Sequence, residues 1–361
     1  MAHILPVRKQ RIAYIDVLKA FSIFIVVLGH VCQNYCKNIE VVVCHHGILP
    51  YHMSLFAVLS GLFFSANVDF KTFMSKKFTQ LALPYLIWCF IVAIVIRGVN
   101  EMHLYSSEGF DIHFKSWAEC FFMYIIDWGW WFIRTLFLSF IYAYVAIRLC
   151  QRHVTMGVLS STLLLYVLSL SGIIPNKVLK DFVFLYPFFC VGILMRTYKT
   201  WVFEWAMFIL PVAALCFFGC MLFWQGYDDS FYSMNTSMYE TEGHADIVGI
   251  KVLWKTLYRF VVGTSASVTL ILLARRMAPL LSSTHLMQSI GRNTLGIYIF
   301  HGFTWNFFAP PSCNILFESA VASFAASIVI SVVIVLITSV IVNMTSRNKY
   351  LALLLWGRKT F

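Results

Sequence analysis

Apolar runs of membrane-crossing length recur along the chain, separated by short polar connections, and this pattern predicts about ten helices. They run roughly over 12–36, 47–66, 81–99, 130–149, 156–174, 181–197, 202–224, 255–274, 288–308 and 319–342. Neither an internal repeat nor a Gly/Ser-rich linker interrupts them, so residues 1–361 read as one domain, an all-α polytopic membrane bundle. Every second connection is basic. Arg8, Lys9 and Arg11 precede the first helix, Lys71, Lys76 and Lys77 follow the second, and Arg148 and Arg152 the fourth. Arg196 and Lys199, then Arg275 and Arg276, then Arg347 and Lys349 continue the alternation. The longest intervening connection instead carries Asp228, Asp229, Glu240, Glu242 and Asp246. Lys and Arg collect on the cytoplasmic side of membrane proteins, so both termini are expected there.

The first helix breaks the apolar pattern. RIAYIDVLKAFSIFIVVLGHVCQNYC, residues 11–36, carries Asp16, Lys19 and His30 within a lipid-length run. Ionisable groups inside a bilayer are expensive and need a reason. At about 100° per residue, Lys19 lies roughly 60° from Asp16 and His30 falls between them, so all three share one stripe. His30 is about 16 Å further along the axis than Lys19. One face therefore joins a charged pair near the inner surface to an imidazole near the outer one. An ion pair at the headgroup level with a wet histidine at the far end accounts for the same residues without chemistry.

Composition narrows the class. The chain is 60% hydrophobic and only 12% charged, with a mean hydropathy of +0.78, which excludes a soluble domain. A net charge of +11 would suit a nucleic-acid partner, but the basic residues lie in short clusters between apolar runs and serve topology instead. The ten cysteines show no metal-ligand or disulfide-framework spacing, and no metal is expected. Cys36 and Cys44 flank one short loop and could pair in an oxidising compartment. The first run is too long and too charged for a cleavable signal peptide.

Further segments carry polar residues at telling places. YHMSLFAVLSGLFFS leads into KKFTQLALPYLIW, and its Ser60-Gly61 pair lets another helix come close. Residues 100–129 hold an apolar run of roughly a dozen residues, too short to span, which predicts an interfacial helix. Trp128, Trp130 and Trp131 then anchor the entry to WWFIRTLF, where Arg134 either snorkels to the outer surface or faces an outward cavity. In YPFFCVGILM, Pro187 and Gly192 bend the helix or admit a neighbour. IGRNTLGIYIFH places His301 about 13 Å deeper than Arg292. The last run is apolar all round and is expected to face lipid.

These segments together resemble the membrane acyltransferase-3 family. Its first helix carries an Asp, a basic residue three later and a His after ten more, matched by Asp16, Lys19 and His30. The basic residue there is usually Arg, and lysine keeps its charge without the planar fork. The His-Met-x-x-Phe run ending in Ser-Gly, the basic loop leading to Leu-x-x-Pro-Tyr, Trp-Phe-Leu, Pro-Phe-Phe-x-x-Gly and the Leu-x-x-Tyr-x-x-His segment follow in the family's order. Lys77 holds the first basic position of the loop and Gln80 stands at the second; Thr294 replaces a serine.

The resemblance implies transfer of an acyl group, usually acetyl, from cytoplasmic acyl-CoA to a hydroxyl of an extracytoplasmic glycan or lipid-linked sugar. The expected setting is a bacterial cytoplasmic (inner) membrane. A sugar hydroxyl is a weak nucleophile, and a histidine titrating near neutrality is a suitable base. His30 takes that role, or that of a transient acyl carrier, with Asp16 and Lys19 beside it. Lys19, Lys77 and Arg11 would meet the donor's phosphates, while Arg134, Trp131 and His301 would line the acceptor side. A topology signal alone also explains Lys77, and a satisfied core histidine also explains His301. The competing class is a transporter or flippase using the same polar stripe, against which stands the lack of a repeat or of paired broken helices.

Overall fold

Inside a bilayer the backbone finds no water, so a chain of this composition must close its hydrogen bonds within helices. The structure, a computed structural model, describes residues 13–35, 39, 43, 47–48, 50–101, 116–123, 125–126, 130–170, 177–224, 248–281, 285–308 and 319–358. Among these the order is α1 (Ala13–Tyr35), α2 (His52–Leu62), α3 (Phe70–Lys77), a π-helical turn (Phe78–Ala82), α4 (Leu83–Glu101), α5 (Trp117–Met123) and α6 (Trp131–Leu149). Then come α7 (Val154–Leu170), α8 (Lys177–Thr197), α9 (Lys199–Glu204), α10 (Ala206–Met221), α11 (Val248–Arg276) and α12 (Ala278–Leu281). The chain ends in α13 (His285–Phe308), α14 (Ala320–Thr345) and α15 (Lys349–Trp356). No strand occurs among the described residues. Arg11, Cys36, Cys44, Trp128 and the acidic stretch 225–247 lie outside them.

Each apolar run contains a helix, but the lengths differ from expectation. Five described stretches are long and apolar enough to cross a membrane: Ala13–Gln33, Phe70–Val95, Trp131–Leu149, Thr256–Arg276 and Ala320–Thr345. The basic connection expected at 67–80 is helical from Phe70 onwards. Asp69 caps it, accepting the Thr72 N–H at 2.8 Å, and that bond holds the Asp69 carboxyl below the usual carboxylate range. Further on, Pro84 has no N–H to continue the ladder. The chain passes it through the π turn, in which the Leu83 N–H donates to the Phe78 carbonyl. Lys76 and Lys77 therefore ride on a helix running directly into α4.

Two further differences concern the C-terminal part. The last long helix, α14, is not apolar all round in its setting: Ser323, Ser327, Ser331, Thr338 and Ser339 are buried in one stripe. Small hydroxyl residues let it lie close to α1 and α13, while Val321, Val329, Ile337 and Met344 remain exposed on the other side. Beyond it, α15 was not expected. Asn348 caps it by accepting the N–H groups of Tyr350 and Leu351, and left-handed Gly357 ends it.

Close packing is set at glycines. A Cβ at Gly61 would overlap the Phe189 carbonyl, and one at Gly192 would overlap the Val58 carbonyl. The small pair read at Ser60-Gly61 thus meets Gly192 of α8, backbone against backbone. Gly61→Ala should force α2 and α8 apart at a cost of about 1–3 kcal/mol, read as a lower unfolding midpoint in detergent. Gly219→Ala, where the added carbon meets nothing within 4 Å, is the matched control and should not lower that midpoint.

Candidate active site

The site starts from the contact of α1 with α13. A Cβ at Gly291 would overlap the Asp16 carbonyl, so only glycine permits this approach. Asp16 is buried there, and Lys19 and His30 are half-buried further along α1. On α13, Gly291, Thr294, Tyr298 and His301 follow at spacings of three and four, which puts them on one face. That face meets the polar stripe of α1. His301 is only 2% exposed, and its ring centroid lies 5.4 Å from that of His30 and 5.5 Å from that of Tyr298.

Each imidazole is oriented through Nδ1. His30 Nδ1 is 3.1 Å from Gln33 Oε1, and His301 Nδ1 is 3.1 Å from the Ile297 carbonyl. A carbonyl oxygen only accepts, so Nδ1 carries the proton and the basic lone pair of the neutral ring is on Nε2. The same holds for His52, whose Nδ1 donates to the Ile48 carbonyl at 2.9 Å. His52 is buried at the start of α2 and is an electrostatic neighbour of His30. Sequence reasoning passed over His52 as a role-bearing residue, although it stands at the head of the His-Met-x-x-Phe run.

A cavity of about 390 Å³ opens across Tyr298 from the His30–His301 pair, neither of which lines it, and its volume is within the range of small-molecule sites. Lys19, Lys77, Gln80, Thr294 and Tyr298 line it, with Ser60, Phe63 and Phe140 among the rest. The structure thus brings Lys19 and Lys77 to one space from positions 58 residues apart in sequence. The Lys77 ammonium sits 3.4 Å from the Phe140 ring centroid, a cation–π contact, and Lys19 lies 5.1 Å from that of Phe63. Tyr298 is the shared wall, since it lines the cavity and its ring meets that of His301 at a tilt of 52°.

Arg134 sits elsewhere. It is buried, 9% exposed, and donates to Asp181 Oδ2 at 2.9 Å, to the Ile125 carbonyl at 2.7 Å and to the Ile126 carbonyl. It therefore does not snorkel to a surface, and it does not line the cavity, although its neighbour Ile133 does. Its guanidinium pins the 125–126 segment to α6 and α8; the spacing of 47 residues to Asp181 hid this pairing from sequence reading. Trp131 is half-buried and packs edge-on against the cavity residue Phe132. Trp130 donates to the Ile299 carbonyl at 2.8 Å, fastening the start of α6 to α13. Among the described residues no three His, Cys, Asp or Glu side chains gather as a metal site.

Several membrane-length apolar helices around a basic, aromatic-walled cavity define a multi-pass membrane protein. The chain belongs to the acyltransferase-3 family, whose model, an acyltransferase domain, matches residues 12–343, and it is accordingly a membrane acyltransferase. No curated protein and no solved structure matches it. The family match stops before α15.

The buried Arg134–Asp181 pair makes a measurable demand on the fold. Asp181→Asn or Arg134→Gln alone should lower stability by about 3–5 kcal/mol, because the remaining charge is stranded. Arg134→Lys should not restore it, since an ammonium cannot serve Asp181 and two carbonyls in the same plane. Thermal unfolding of the purified variants in detergent checks both expectations.

Proposed function

We propose that the protein moves an acyl group, acetyl in the usual case, from cytoplasmic acyl-CoA to a hydroxyl of an extracytoplasmic glycan or lipid-linked sugar. The observation that carries this reading is that Tyr298 both walls the Lys19–Lys77 cavity and contacts His301, which in turn contacts His30. Two ammonium groups suit a donor with several phosphates, and the apolar walls suit its thin acyl-bearing arm. The basic connections support a cytoplasmic lysine end, and on this reading, in a bacterial inner membrane, His30 lies towards the outer face, where a glycan arrives.

In the step itself, the acceptor hydroxyl oxygen attacks the thioester carbonyl as His30 Nε2 takes the hydroxyl proton. The carbon–sulfur bond then breaks, and the proton passes to the departing thiolate as free CoA thiol is released. A two-step route through an acylated His30 yields the same products.

His30→Ala should remove transfer and thiol release together, while the purified variant stays monodisperse. General-base assistance of this kind is worth about 10²–10⁴-fold in rate. Near-normal turnover in that variant would move the base away from α1, with His301 the next position to test.

Lys19→Ala and Lys77→Ala should act on the donor side. Their loss is expected as a raised donor KM with the acceptor KM unchanged. An unaltered donor KM in both variants would return the two lysines to a topological role.

A further inference from the structure

The helix that carries Lys77 and Gln80 into the cavity has a defect, and a segment outside the family match is seated on it. The π turn diverts the Leu83 N–H to the Phe78 carbonyl, which deprives the Thr79 carbonyl of its ordinary helical donor. Pro84 has no N–H, which deprives the Gln80 carbonyl of its own. Those same two carbonyls face Gly357: a Cβ there would stand 2.6 Å from each and 2.8 Å from the Gln80 Cα. Only a residue without a side chain can approach so closely. Gly357 is also left-handed, φ +63°, a conformation in which any other L-residue is strained.

The segment around Gly357 is itself held from three directions. Trp88 of α4 donates to the Leu355 carbonyl at 3.0 Å, and Trp356 packs on Trp88 with centroids 5.5 Å apart. Trp356 also donates to Thr345 Oγ1 at 2.8 Å, fixing α15 against the end of α14. Arg358 reaches the first turns of α13, donating to the Arg292 carbonyl at 2.6 Å and to Asn293 Oδ1 at 2.8 Å. Arg292 and Asn293 directly precede Thr294, which lines the cavity opposite Lys77 and Gln80. One short C-terminal segment thus touches both walls of the cavity, the π turn at Gly357 and α13 at Arg358.

We propose that Gly357 and Arg358 are positioning residues for the donor site. They brace the π turn against α13 and so fix where Lys77 and Gln80 stand in the cavity. Pro84 keeps the turn from closing into a regular helix, so its two open carbonyls depend on the Gly357 contact, and without the brace the turn loosens. A loosened turn leaves the helix upstream free to shift against α4, which moves Lys77 and Gln80 from their places in the cavity. Gly357 meets the exposed carbonyls with Cα–H groups, which are weak partners individually but match their geometry. The inference rests on the cavity being the donor site.

Gly357→Ala tests it, with Arg358→Gln as a second variant that leaves the glycine contact in place and Arg358→Lys as the conservative partner. The expected result for Gly357→Ala and Arg358→Gln is a donor KM raised about ten- to hundredfold, with kcat for the acceptor little changed. Arg358→Lys, which keeps one charged donor, should recover part of the loss. Hydrogen exchange of the peptide over residues 78–83 should rise in the first two variants. An unchanged donor KM with unchanged exchange in that peptide would overturn the proposal. So would a loss of kcat in proportion to the unfolded fraction, which marks a merely structural helix. If the wild-type protein releases no thiol from acetyl-CoA, the donor assignment fails instead, and the exchange measurement still decides whether the brace exists.

Discussion

The contact on which the site depends is the backbone approach of α1 to α13 at Asp16 and Gly291. Polar side chains in a membrane helix are stable only when they face other protein groups or an internal cavity. Two helices, each with one polar stripe, solve that problem by turning the stripes to each other. Glycine at 291 sets the separation, and the 5.4 Å spacing of His30 and His301 follows fourteen residues further along α1 and ten further along α13. A side chain at 291 would hold the helices apart along their length and leave both imidazoles facing apolar neighbours. The Gly61–Gly192 crossing sets the separation of α2 and α8 in the same way.

Much of this framework was legible because its signals are local. A lipid-length apolar run is visible from composition alone, and three ionisable residues in one stripe stand out against it. The α1 stripe, the small pair at Ser60-Gly61 and the imidazole at His301 all belong to that class. What stayed hidden depends on partners distant in sequence. Arg134 sits on an outward-reading helix end, and nothing nearby shows that Asp181 will neutralise it. Nothing in the residues around His52 marks its place beside His30 until α1 is packed against α2. The serines of α14 are diluted by so many valines and isoleucines that their shared face disappears in the average.

The stretch from Phe70 to Pro84 shows a different reason for error. Three lysines and a proline make it look like a loop followed by a new helix. Lysines, however, are good helix formers, and a proline's missing bond can be absorbed by a π turn upstream. The physical consequence is larger than the secondary-structure label. A loop would present Lys77 to solvent on a soft tether, whereas the helix holds it against Phe140 inside a walled cavity.

That environment also bears on the departure from arginine in this family. A guanidinium binds phosphate through two parallel hydrogen bonds and so carries its own orientation. An ammonium is a point charge and must be oriented by its surroundings. The Phe140 ring provides that orientation for Lys77, and it does so without neutralising the charge as a carboxylate would. With Gln80 in place of a second basic residue, fewer charges share the cavity wall, so the exact placement of the remaining ones matters more. On the proposed donor-site reading, single ammonium groups gain most from a firmly held segment beneath them, and the seating of the π turn on Gly357 is the contact that would hold it.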